Sequence, residues 1–425
     1  MRNMSLIFIF FLSFGPLTGA SMEGMSDERP QANWHQEVKT GPLQEKIDQL
    51  KPNDVLRLPK GTFHGPIVIK TPGVTIQGVP GTIITADQKD SVIVIEANDV
   101  TIKGLKITGS GTSYTQADAG IGLRSVNNAR LLNNEIVDCL FGIDAYGGKG
   151  LQIDGNTISS KNLEIGLRGD AMRLYNVTDS EVLNNKWSHS RDVVSWYSKR
   201  VIFKGNHGSD SRYSIHSMYS EHLRIQNNVF KRNRVGIFLM YGSDFIITNN
   251  HIERALGATG MGIGLKESSN IFAQNNTINY SAVGVLVDNS PFKVGSRNWF
   301  HGNNLAFNGK GVVVSNDLPG GEFKKNVFLG NLVDVDSENR KGSRSVWDKN
   351  YWDKYEGFDQ NEDNVGDTSF TLRKYGDTLK GSNPKAAFFY GTPLFTLLEL
   401  IEEVAYIGDP IVVLIDENPQ LMKDK

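Results

Sequence analysis

Asparagine returns just ahead of an apolar residue nine times between residues 134 and 326, in NNEI, GNTI, NNKW, GNHG, NNVF, NNHI, NNTI, NNLA and KNVF. With marks at Asn134, Asn156, Asn185, Asn206, Asn228, Asn250, Asn276, Asn304 and Asn326, the steps are 22, 29, 21, 22, 22, 26, 28 and 22 residues. A period of this size means that one short unit is stacked many times. Between the marks lie brief β-branched runs, as in VGIFLMYGSDFIITNNHI, with no helix-length periodic segment. The fold class expected is therefore all-β, a right-handed parallel β-helix (solenoid) in which each coil pairs with the coils above and below. Asparagine suits its corners because it tolerates the left-handed backbone region, and stacked amides hydrogen-bond along the axis. A leucine-rich solenoid would need Leu at fixed places, and a propeller would repeat at roughly 40 residues or more.

The ends of such a stack expose strand edges that must be covered. PLQEKIDQL, residues 42–50, is expected to form a short amphipathic helix before the first coil. At the other end, Leu394, Leu397, Leu398, Ile401 and Ala405 recur at helical spacing, which predicts a cap over the last coil or a docking helix. The division expected is a signal peptide over 1–20, an N-terminal segment and helical cap over 21–50, the β-helix over 51–345, an Asp/Asn-rich loop segment over 346–385, and a C-terminal helical tail over 386–425. The signal peptide rests on Arg2, the apolar run Leu6 to Leu12 and the small residues Thr18-Gly19-Ala20. Export follows from it. A net charge of −2 supplies no basic field for nucleic acid. Cys139 is the sole cysteine, so it forms no intramolecular disulfide, and in IVDCLFGI it reads as a small buried hydrophobe.

Laying the coils over one another gives the outward columns. In MGIGLKE, Lys266 must face out, so Ile263 and Leu265 face in, and that parity carries through the stack. One outward column is then Asp144, Arg173, Val194, His216, Phe238 and Gly264; its neighbour is Tyr146, Tyr175, Trp196, Met218, Met240 and Lys266. His216 and Met218 share a face, and Met240 is the next rung. Two thioethers and an imidazole make a donor set suited to Cu(I), held transiently at an open site. Tyr146, Tyr175, Trp196, Met218, Met240 and Phe238 form a stripe expected to be exposed and to dock a partner.

Two further patterns carry expectations. In NYWDKYEGFDQNEDNVGD, Asp359, Asn361, Asp363 and Asp367 alternate like the oxygen ligands of a Ca2+ loop, although Asn364 stands where such a loop takes Gly. A secreted polysaccharide lyase or epimerase would need an acid/base constellation on the outward face. Asp144 and Arg173 are the one candidate pair, with apolar neighbours expected around them and no Asp-Pro-His motif. The chain is expected not to be an enzyme; a purely structural, adhesin-like β-helix is a further alternative.

SIHSMYS, VGIFLMYGSDFIITNN, MGIGLKES, the NYWDKYEGFD segment and a late NPQLMK together resemble the NosD family. The resemblance runs from LKPNDVLRLPKGTFHGPIVI to the C-terminal segment. It implies a periplasmic accessory protein of nitrous oxide reductase maturation, associated with the inner membrane through the membrane subunit of an ABC transporter. A copper chaperone lipoprotein would supply copper, and the copper-sulfide centre of the reductase would receive it. The Asn364-Val365-Gly366 sequence departs from the Asp-Gly start usual in this type of segment.

Overall fold

A computed structural model describes residues 40–337, 342–374, 397, 401 and 411–421. The expected signal peptide lies outside the described residues, as does most of the expected C-terminal helix; Leu397 and Ile401 are helical and exposed.

Short strands with two outward residues for every buried one or two can bury their apolar side chains only against the next turn of chain. They do so here in a stack of parallel strands. One face is a 13-stranded sheet that starts at Gly61–His64 and ends at Tyr351–Trp352; the other two faces join in a 24-stranded sheet. At about 4.8 Å per turn the stack is about 60 Å long. The register is kept by size as well as by apolarity. Ile107, Ile136, Ile158 and Trp187 stand in one inward column, and Gly208 follows Trp187. A Cβ at Gly208 would run into the Trp187 indole, so glycine leaves the room that the large ring fills.

The core changes character along its length. Its first half is mainly Ile, Val and Leu. Near the end, rings stack coil on coil: Phe300 on Phe323 at 4.4 Å, Phe323 on Trp347 at 4.2 Å, and Phe328 on Trp352 at 4.2 Å.

The corners are held by side-chain ladders. The Asn206 backbone N–H and Nδ2 both donate to Asn228 Oδ1, at 2.9 and 3.0 Å, and Asn206 Nδ2 also donates to Val182 O. The same pattern passes through Asn134, Asn156, Asn185, Asn250 and Asn276. Each ladder Asn is fully buried, so its amide must be satisfied, and its neighbours above and below do that. The residue before it takes the left-handed conformation, as Asn227 does at φ 56°. One mark needs correcting. The ladder residue in GNNLA is Asn303, which accepts from Asn276, and not Asn304. Every ladder Asn stands two residues before the inward apolar residue, here Leu305, and Gly302 takes the left-handed place.

Gln44–Asp48 is the N-terminal helix, with Leu43 and Ile47 buried on the first coil. Gln44 covers the strand edge directly: its Oε1 accepts from Val68 N–H at 2.8 Å and its Nε2 donates to Val68 O at 2.9 Å. The far end differs from expectation. The solenoid runs on through Val346–Asp348 and Tyr351–Trp352, beyond residue 345. Within the tail expected to be helical, Ile411–Asp416 is a strand, antiparallel to Phe370–Lys374. β-branched and apolar IVVLI favours that state.

Candidate functional site

The two outward columns stand in the register read from the sequence. Arg173 pairs with Asp144 below and Val194 above, Val194 with His216, His216 with Phe238, and Phe238 with Gly264. Beside them Tyr146, Tyr175, Trp196, Met218, Met240 and Lys266 pair in the same order. Met218, at the end of strand Tyr213–Met218, and Met240, at the end of Val235–Met240, are therefore direct neighbours. His216 is two residues back on the same face as Met218.

The expectation of an exposed stripe needs correction. Tyr146, Tyr175, Trp196, Met218, Met240 and Phe238 are each half-buried. Tyr146 stacks on Tyr175 at 5.1 Å, and Tyr175 meets Tyr197 edge-on at 5.4 Å. A second ladder, Tyr197, Tyr219 and Tyr241, stacks at 5.0 and 5.1 Å beside the stripe. These three tyrosines hold left-handed corner positions, at φ 52°, 52° and 54°. The signal for them was present as WYS, MYS and MYG, a Tyr directly after three consecutive members of the second column, Trp196, Met218 and Met240.

His216 sits in an aromatic surround: Tyr213 at 4.9 Å and Trp196 at 6.0 Å edge-on, and Phe238 at 6.2 Å nearly parallel. Its Nδ1 is 3.5 Å from Asp192 Oδ2, outside hydrogen-bonding geometry, and the Trp196 Nε1 is likewise buried without a partner. Asp192 is buried and accepts from Arg212, whose Nε reaches Oδ1 at 2.8 Å, and from Tyr213 N–H at 3.3 Å. Burial by itself would raise its pKa; Arg212 and His216 outweigh that and hold the carboxyl below its ordinary range.

The neighbours of Asp144 and Arg173 are charged, not apolar as expected. Arg173 Nε donates to Asp144 Oδ1 at 2.6 Å and Arg124 donates to Oδ2 at 3.1 Å. One coil on, Arg191 binds both oxygens of Asp170, at 2.9 and 3.2 Å. Burial pushes the Asp170 carboxyl up, against the pull of Arg191. Arg124 continues the second column one coil below Tyr146, ahead of the first Asn mark from which the columns were read, and Arg191 falls outside both columns. Asp144 itself is buried between two guanidinium groups. That arrangement satisfies a charge and leaves little access for a proton-transfer partner.

The Asp/Asn loop is organised by its own backbone. Asp359 accepts from Asp363 N–H and Asn364 N–H, Asp363 from Val365 N–H, Asn361 from Asp363 N–H, and Asp367 from Gln360 N–H. These are turn-forming contacts. Among the described residues no three His, Cys, Asp or Glu side chains come together as a metal site. The Ca2+ expectation gains no support. Cys139 is buried, and burial pushes its thiol up to about 12, which leaves it inert.

Comparison with known proteins bears on these coils. The family described as "Periplasmic copper-binding protein (NosD)" matches residues 149–357, and a "Right handed beta helix region" matches residues 90–192. Two curated relatives carry the name "Probable ABC transporter binding protein NosD". The one from Stutzerimonas stutzeri is 28% identical over 138 residues, 32% of this chain and 31% of that protein. The one from Pseudomonas aeruginosa is 26% identical over 137 residues, 32% of each chain. The match thus spans about a third of the curated relatives. Among solved structures, the mannuronan C-5 epimerase AlgE6 A-module of Azotobacter vinelandii aligns with a TM-score of 0.52 at 13% identity, covering 72% of this chain and 93% of that one. A family 28 exopolygalacturonase of Yersinia enterocolitica gives 0.52 at 13%, covering 71% and 76%. Likeness at that identity shows the fold alone. His216, Met218 and Met240 all fall within the span matched by the first family, and that match together with the two curated relatives supports grouping this chain with the NosD family.

Proposed function

We propose that this protein is a periplasmic accessory factor that works with an ABC transporter and a copper chaperone lipoprotein, and helps to deliver copper for the copper-sulfide centre of nitrous oxide reductase. The observation that carries the reading is the in-register Met218–Met240 pair with His216 on the same face. Copper here is cargo. Two thioethers and one imidazole favour Cu(I) over harder ions, and a site with few donors on a half-buried face releases what it binds. The aromatic stripe from Tyr146 to Phe238 is the docking surface in this reading, since large half-buried rings supply contact area to a partner. The family description names the periplasm and copper, and the relatives' names mention an ABC transporter; the chaperone, the reductase and the inner-membrane association belong to the proposal.

The test is copper loading in cells that express the reductase. Met218→Leu with Met240→Leu keeps volume and apolarity while removing both sulfurs. The reductase is expected to emerge deficient in copper, and full loading would refute the role of the pair. Trp196→Ala is expected to weaken capture by membranes containing the transporter's membrane subunit. Purified protein is expected to leave pectate and alginate uncleaved and unepimerised; turnover that Asp144→Ala abolishes would favour the lyase or epimerase alternative instead.

A further inference from the structure

The coil beneath His216 contains an irregularity with a chemical consequence. Asp192 pairs with Tyr213, yet Val194 pairs with His216, so one residue of the lower strand, Val193, lies opposite two of the upper one, Ser214 and Ile215. Such an extra residue re-aims the side chains around it. In the coils above, the places in register with Tyr213 are Val235, Met261 and Val283. Asp192 is thus a carboxylate where the next four coils carry an aromatic or apolar side chain.

That carboxylate is fixed on two sides. Arg212 holds both oxygens, and the Tyr213 backbone N–H donates to Oδ1. Its Oδ2 lies 3.5 Å from the buried Nδ1 of His216, which has no hydrogen-bond partner of its own. The other two buried carboxylates of the face are engaged elsewhere, Asp170 by Arg191 and Asp144 by Arg124 and Arg173. A carboxylate can only accept, so the neutral ring is stabilised with its proton on Nδ1 and its lone pair on Nε2. Metal-binding histidines commonly have their second nitrogen fixed in this way.

We infer that Asp192 is a positioning residue: it sets the tautomer of His216 so that Nε2 is the nitrogen offered to a soft cation at the Met218–Met240 pair. The inference rests on the copper role proposed above for those three residues. Arg212 is the anchor of the arrangement, since without it Asp192 would be free to turn toward solvent.

The test begins without copper. In the full mature chain labelled at histidine, nitrogen NMR at a pH where the ring is neutral distinguishes Nδ1–H from Nε2–H, and the His216 signals are assigned by their loss in His216→Gln. Wild type is expected to show Nδ1–H. Asp192→Asn is expected to restore the preference of a free imidazole for Nε2–H, while Asp170→Asn, a change to a neighbouring carboxylate that does not face the ring, leaves the tautomer as it is. Wild-type His216 in the Nε2–H form overturns the inference, whether or not any variant folds. So does an unchanged tautomer in folded Asp192→Asn. A second arm measures Cu(I) competition, in which Asp192→Asn is expected to bind about 10- to 100-fold more weakly. If the tautomer responds as expected but wild type binds no Cu(I), positioning by Asp192 stands and the copper role fails.

Discussion

The Asn ladder at the corner and the column through His216 are both stacks with one side chain per coil, and they differ in uniformity. The ladder repeats one residue type because each rung must satisfy the next. It ends on a different residue, Asp416, which accepts from Asn350 N–H and Nδ2 at 3.0 Å each and from Trp352 Nε1 at 3.1 Å. The carboxylate stands where another Asn would stand if the solenoid had one more coil. The outward column changes at every rung: Asp144, Arg173, Val194, His216, Phe238, Gly264. Nothing in coil stacking requires that sequence. Repetition marks what holds the solenoid together, and departure from repetition marks where chemistry is placed.

The largest effect is expected where the ladder ends. Asp416→Ala leaves the buried donors of Asn350 and Trp352, and the half-buried Lys349 N–H, without this acceptor, a loss of about 3–5 kcal/mol at that end. Hydrogen exchange should show early opening of Tyr351–Trp352 with little change near the N-terminal helix. Within the ladder, Asn228→Ala removes an acceptor for Asn206 and donors to Phe203 O and Asn250 Oδ1, and is expected to cost about 2–4 kcal/mol in denaturant unfolding. A neutral result for either variant would remove the distinction between the two stacks.

A smaller effect concerns the clamp on the C-terminal hairpin. Asp336 is bridged by Lys310 and Lys374, the latter from strand Phe370–Lys374. Burial would raise its pKa, but the two lysines win and lower it from 3.8 to about 2. A depressed folded-state value means that the stabilisation is complete above the unfolded pKa and is lost as pH falls from about 4 through about 2. It amounts to at most about 2 kcal/mol and less in salt. Proteolysis of the hairpin should accelerate over that pH window in wild type and not in Asp336→Asn.

How far these features were legible depends on the range of the interaction that makes them. Coil register was legible because the Asn marks and the parity of MGIGLKE are local, and it placed all twelve residues of the two columns. Burial of Asp144 was not, because Arg124 and Arg173 reach it from other coils, 20 and 29 residues away. The closing role of Asp416 was less accessible still: one acidic residue, 66 positions beyond Asn350, has no periodic partner to announce it. The one-residue slip between Asp192 and Val194 was hidden for a related reason, since a uniform parity assumes no bulge.

The smallest stability effect belongs to the column. Met218→Leu with Met240→Leu should change unfolding by less than about 1.5 kcal/mol, as a swap of near-equal volume on a half-buried face. The same double variant tests the central claim most directly when wild type and variant are titrated with Cu(I) under anaerobic, reducing conditions against a Cu(I) chelator. The expected result is about one Cu(I) bound by wild type, in preference to Cu(II) and Zn(II), and loss of that binding in the variant. Equal Cu(I) binding by the two proteins would contradict the account.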